Sequence, residues 1–164
     1  MELAGTCRCQ AVRFTVRSAG PYPYLRCYCS ICRKTAGGGG YAINLHAEAA
    51  SLVSTGRHYH TVYQVLARET EGGGEGYSPT ERIFCHSCGS ALWTYDPRWP
   101  DLIHPFASAI DTDLPQPPEI VHMMLDFKAS WISVPEGPGH RHFPRYPDES
   151  LQAWHERHGL WAPG

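Results

Sequence analysis

The chain has 164 residues, 42% of them apolar, with 14 basic against 16 acidic side chains and a net charge of -2. Its longest unbroken apolar run is three residues, far short of the roughly 20 that a membrane-spanning helix needs, so no membrane partner is expected. No excess positive charge is available to displace counterions from a phosphate backbone, which disfavours nucleic acid and leaves small molecules or proteins as partners.

The opening Met1-Glu2-Leu3-Ala4-Gly5 has neither the basic start nor the apolar stretch of a secretory signal, so a cytoplasmic protein is expected. A chain of this length buries roughly two-thirds of its extended surface without staples. A single domain over 1–164 is expected, with a core at about 3–135 and a C-terminal extension at 136–164. Sixteen glycines and fourteen prolines, spread throughout, predict many turns between short elements and a mainly β fold.

The clearest predicted strand covers 10–17, where Val12, Phe14 and Val16 alternate with Arg13, Thr15 and Arg17, one face buried and one wet. A short helical turn is predicted from Ser30 through Lys34. Further strands are predicted at 41–45, 61–66, 81–84, 91–95, 102–106 and 120–125, each bounded by Gly, Pro or Asp. Glycine-rich stretches at 37–40 and 69–80 read as a close backbone approach and a mobile hairpin tip, and neither has the residues of a phosphate-cradling loop. The one strong helix signal is terminal: Asp148 as cap, Leu151, Trp154 and His155 on one face, Gly159 as stop.

Every cysteine falls into one of three groups, Cys7-x-Cys9, Cys27-x-Cys29-x-x-Cys32 and Cys85-x-x-Cys88. An odd count argues against a disulfide framework, and cysteines one residue apart rarely reach disulfide geometry. A redox role for Cys85 and Cys88 lacks the helix and parallel sheet of such enzymes. Zinc fits better: thiolates at about 2.3 Å in a tetrahedron suit these spacings. Cys27, Cys29 and Cys32 lie close enough in sequence to close on one ion and leave a position open. Cys7 and Cys9 then pair with Cys85 and Cys88 in a closed, structural site.

Three blocks, Gly5-Thr6-Cys7-Arg8-Cys9-Gln10-Ala11-Val12-Arg13-Phe14, Cys27-Tyr28-Cys29-Ser30-Ile31-Cys32-Arg33-Lys34 and Phe84-Cys85-His86-Ser87-Cys88-Gly89-Ser90-Ala91-Leu92, resemble in sequence and order the glutathione-dependent formaldehyde-activating enzymes, a family that includes centromere protein V. The resemblance implies a β-tent fold of several small coiled antiparallel sheets. It also implies two zinc ions, structural on Cys7, Cys9, Cys85 and Cys88 and catalytic on Cys27, Cys29 and Cys32. The implied reaction adds the thiol of glutathione to formaldehyde and is classed with carbon–sulfur lyases. Members commonly carry His around the first cysteines of the second cluster, where this chain has Arg26 and Tyr28.

Under that reading the partners are a small-molecule thiol and an aldehyde. Three thiolates weaken the Lewis acidity of zinc, so lowering the pKa of an incoming thiol suits the site better than activating water. Arg33 and Lys34 are candidates to clamp a glutathione carboxylate. Tyr28, Tyr41, Trp93 and Phe106 are candidate pocket walls, and His46, His58, His60 or His104 is a candidate fourth ligand that would close the three-cysteine site. His140, His142, His155 and His158 are expected at the surface. The alternative is a non-catalytic, zinc-stabilised module that binds another protein.

Overall fold

A computed structural model describes residues 1–70 and 72–163. The first sheet starts at the N-terminus, where β1 (Glu2–Thr6) and β2 (Arg13–Arg17) form an antiparallel hairpin with Leu3 opposite Val16 and Gly5 opposite Phe14. The predicted alternation is present, with Phe14 and Val16 buried and Arg13 and Arg17 exposed. The strand begins three residues later than predicted because Gln10 takes a φ of 64° in the turn that carries Cys7 and Cys9. β1 was not expected, since Glu-Leu-Ala-Gly-Thr carries little intrinsic strand preference. Pairing with β2 supplies what propensity lacks.

The chain then runs through β3 (Leu25–Cys27), α1 (Ser30–Thr35), β4 (Ala42–Ile43), β5 (Ala47–Glu48) and β6 (Val53–Thr55), the last closing the far edge of the first sheet beside β2. β7 (His60–Tyr63), β8 (Glu81–Cys85), β9 (Ala91–Tyr95) and β10 (Leu102–Pro105) follow, and with β5 they form a five-stranded sheet in the order β5-β10-β9-β8-β7. The predicted strand at 61–66 is shorter and shifted, and those at 81–84, 91–95 and 102–106 agree to within a residue. The glycine-rich tip at 69–80 is closed at its base by a bridge between Leu66 and Tyr77, and Glu71 within it lies outside the described residues.

A third sheet, β12-β11-β3-β4, is completed by β11 (Ile120–Met123) and β12 (His140–His142). It is mixed: β11 runs parallel to both β3 and β12, which the long connections between them permit. The architecture is thus mainly β, with several small sheets and two short α-helices among the described residues. Two apolar cores lie between the layers. One gathers Leu3, Phe14, Val16, Leu45, Ile83, Leu92, Trp93 and Ile103, and the other gathers Tyr24, Leu25, Phe106, Val121, Met123 and Trp154.

The terminal helix α2 (Leu151–Arg157) is capped by Ser150, whose hydroxyl accepts from the Ala153 N–H at 3.1 Å, and not by Asp148. Asp148 lies too far before the first helical residue and instead pairs with Arg141 at 3.4 Å. Gly159, at φ 68°, ends the helix as expected. Trp154 stacks on Tyr24 with ring centres 3.6 Å apart and donates from Nε1 to Glu119 at 2.9 Å. His155, expected at the surface, is fully buried against Gly20, with Nδ1 2.7 Å from the Leu151 carbonyl oxygen. It shares the apolar face with Trp154, and the tail at Trp161 covers it. His140 and His158 are half-buried, and only His142 is exposed. No helix among the described residues is long and apolar enough to cross a membrane.

Candidate thiol centres

The β1–β2 turn and the β8–β9 turn bring Cys7, Cys9, Cys85 and Cys88 together, with all four sulfurs within 4.8 Å of one another. Each turn is built the same way. The Cys7 N–H bonds the Val12 carbonyl and the Val12 N–H returns to the Cys7 sulfur at 3.2 Å. The Cys85 carbonyl accepts from Gly89, whose φ of 71° lets the chain reverse without a side chain in the way. The Arg8 N–H donates to the Ser90 hydroxyl at 3.0 Å and fastens the two turns together. Cys7 and Cys85 are buried in the first core, while Cys9 and Cys88 are exposed. The Ser90 hydroxyl beside Cys88, at 3.2 Å, favours its thiolate and draws its pKa down to about 5.

Cys27 at the end of β3, Cys29 and Cys32 on α1 form the second cluster, again with all sulfurs within 4.8 Å. Cys29 caps α1, its sulfur accepting from the Cys32 N–H at 3.3 Å. Hydrogen bonds from the Cys27 and Cys32 thiols hold Cys29 as the thiolate, at a pKa of about 2, and in return Cys27 is pushed far up. Cys27 and Cys32 are buried in the second core and Cys29 is half-buried, so the cluster reaches solvent at one corner. No histidine, aspartate or glutamate among the described residues joins either group, so none of His46, His58, His60 and His104 sits where a fourth ligand would.

The donor sets fit a soft, tetrahedral ion. Zinc–sulfur bonds of about 2.3 Å place sulfurs about 3.8 Å apart in a tetrahedron, and Cys7 to Cys9 and Cys9 to Cys85 measure 3.5 and 3.8 Å.

Of the other candidates, Arg33 is half-buried with a sealed Nε that has no partner, whereas Lys34 is exposed. Phe106 packs in the second core with Cys27 and Cys32, and Trp93 lies in the first. Tyr28 is buried, its hydroxyl 2.8 Å from His122 Nδ1, and His122 Nε2 lies 2.9 Å from His140 Nδ1. Arg26 stacks its guanidinium over Tyr41 at 4.9 Å. A cleft of about 380 Å³ lined by Glu119, Arg141, Asp148, Glu149 and Arg157 is an ion-pair clasp that holds α2 to the third sheet and contains no thiol.

Two buried basic residues escaped the sequence reading. His122 is the lone polar residue in the apolar strand Ile120–Met123, a pattern that could have marked it. Arg82 is buried next to Ile83 in a strand whose Glu81 and Phe84 are half-buried, and it is only 9% exposed. Because Tyr63, Arg82, Thr94 and His104 pair in register across β7, β8, β9 and β10, they share the face opposite Ile83 and Trp93.

Fold and site together define a small, mainly β protein whose seven cysteines gather into one four-thiol and one three-thiol cluster. The model of the glutathione-dependent formaldehyde-activating enzyme family matches residues 2–124, and the chain belongs to that family. A Halomonas elongata protein, provisionally named a glutathione-dependent formaldehyde-activating enzyme, is 57% identical over 160 residues, which is 98% of each chain. The crystal structure of a Rhodobacter sphaeroides protein matches with a TM-score of 0.52 and 26% identity, over 70% of this chain and 92% of that one.

Proposed function

We propose that the protein is a zinc-dependent enzyme of carbon–sulfur lyase type that adds a thiol such as glutathione to formaldehyde or a related small aldehyde, or runs the reverse. In this reading Cys27, Cys29 and Cys32 hold the reactive zinc, and Cys7, Cys9, Cys85 and Cys88 hold a structural one. Residues 3–135 carry the zinc-binding core, 136–164 extend it, and the protein works in the cytoplasm.

The observation that carries the proposal is the asymmetry between the clusters: four thiols complete one tetrahedron, while the other has three and a half-buried corner at Cys29. Cys27, Cys29 and Cys32 would hold the zinc ion, whose Lewis acidity would lower the pKa of an incoming thiol. Cys29, fixed as the cap of α1, and Cys27 and Cys32, fixed in the core, keep the three-sulfur face rigid. The carbonyl carbon takes the new C–S bond as the thiol gives up its S–H bond, and that proton ends on the former carbonyl oxygen. The named relative and the family model support the substrate pair.

The test is metal content per chain, with aldehyde consumption measured above the uncatalysed rate in glutathione, for the wild type and Cys32→Ser. The expected result is two zinc ions falling to one, an unchanged melting temperature, and loss of at least about 100-fold in rate, the scale of losing metal-assisted activation. A variant that keeps both its metal and its rate would refute the assignment.

A further inference from the structure

A second cleft, of about 450 Å³, opens at the margin of the first core and shares no residue with either thiol cluster. Its floor is Ile83, Trp93 and Ile103, all buried. Its wall is the helical turn at Ala49–Ser51 with the following Leu52, where two consecutive alanines put no bulk into the space beside the sheet. Glu81 is the only charged side chain that lines it among the described residues.

Strand register fixes where that charge lies. Glu81 pairs with Tyr95, Tyr95 with Ile103 and Ile103 with Ala47, in one row across β8, β9, β10 and β5. Directly paired residues share a sheet face with their Cβ atoms about 5 Å apart, so the Glu81 side chain stands beside that of Tyr95. Ile83 and Trp93 form the next row on the same face. Glu81 and Tyr95 are half-buried, at the mouth of the cleft. No ion pair within 4 Å and no hydrogen bond engages the Glu81 carboxylate among the described residues, whereas Glu48 on β5 holds Arg17 at 2.9 Å and Asp96, just after β9, holds Arg98 at 2.6 Å.

We propose that this cleft binds a small protonated amine with an apolar or aromatic body, the ammonium group on the Glu81 carboxylate and the body against Ile83, Trp93 and Ile103. The volume lies within the range of small-molecule sites, roughly 300–1,000 Å³. The apolar floor favours burial of hydrocarbon, and the unpaired carboxylate at the mouth fixes which end of the ligand stays there. Tyr95 supplies an aromatic ring next to the same position, which favours a cation further. A ligand with a carboxylate in place of the amine meets repulsion from Glu81, and a neutral one gains nothing from it.

The probes are 2-phenylethylamine, 2-phenylethanol and phenylacetate, which share a phenyl body and differ in the charge of the end group. Each is titrated into the full-length, metal-loaded protein labelled for NMR, and the indole N–H of Trp93, identified with Trp93→Phe, reports occupancy of the cleft. The expected result for the wild type is a Kd for the amine about 10-fold below that of the alcohol, the lower end for a charged hydrogen bond, with the acid weakest. Glu81→Gln should raise the Kd of the amine roughly 10-fold, to that of the alcohol, and change the alcohol by less than about twofold. The amide keeps the size of the side chain, and Glu81→Thr, which also suits a strand, makes the same comparison if the amide variant does not fold.

Amine and alcohol Kd values within about twofold of each other in the wild type would overturn the inference, because Glu81 would then select nothing. An amine Kd unchanged in Glu81→Gln would overturn it too, as would a Trp93 signal that none of the three probes moves. None of these outcomes bears on the thiol chemistry, since no cysteine lines the cleft.

Discussion

Cys9→Ser combined with Cys88→Ser tests whether the four-thiol cluster is a metal cross-link. Both side chains are exposed, so neither substitution opens a cavity, and each removes one ligand from a different half of the site. Cys7 and Cys85 remain in the core, and two thiols cannot hold a tetrahedral ion closed. If no metal joins the halves, two exposed substitutions cost together no more than about 1 kcal/mol. If a metal does, the unfolded chain is freed from a loop of 76 residues between Cys9 and Cys85, and loop-closure entropy alone is then worth about 4.5 kcal/mol. For a chain of this size that is a fall in Tm of roughly 13 °C. The assay is thermal unfolding of both proteins with and without a chelator. The wild type should drop to the level of the double variant when chelated, and the variant should not respond. A variant that melts within about 3 °C of the wild type would refute the cross-link.

Two further outcomes follow from burial. His46 and His122 are held down to about 4 by desolvation, so each stays neutral in the fold and protonates in the unfolded chain below its ordinary 6.5. The unfolded state therefore binds more protons between these values. Stability is full above pH 6.5 and is lost as the pH falls towards 4, by about 3 kcal/mol for each histidine. Urea midpoints measured from pH 7 to pH 4 should fall steeply, and His46→Gln should flatten part of the slope; a level curve in the wild type would contradict the assignment. Gly5→Ala should cost about 2 kcal/mol, because a Cβ there overlaps the Ala109 carbonyl oxygen and the Phe14 ring, and denaturant unfolding with an unchanged m value checks it.

The cysteine groups, their division into four and three, and the mainly β class were legible in the sequence, because ligand spacing and glycine-rich turns are local signals. The strand at 91–95 and the helical turn from Ser30 were legible for the same reason: bounding Gly and Asp residues and short-range sequence pattern need only neighbouring residues. What local pattern could not supply was β1, β3, β5, β6 and β12, whose two- to five-residue segments become strands by pairing with partners far along the chain. His155 was misplaced by the same blindness, since the helical face it occupies is covered by Gly20 and Trp161.

Sequence alone determined how the thiols are grouped: seven cysteines in knuckle spacings whose coordination preference is independent of the fold. Only the tertiary structure decided which charges are buried. Arg33 and Lys34 follow Cys32 in the chain, yet one is half-buried and the other points to water, while Arg82, fifty residues on, is carried by its pairing with Thr94 onto a buried sheet face. Burial and counter-charge are properties of the packed layers, and no local pattern of residues encodes them.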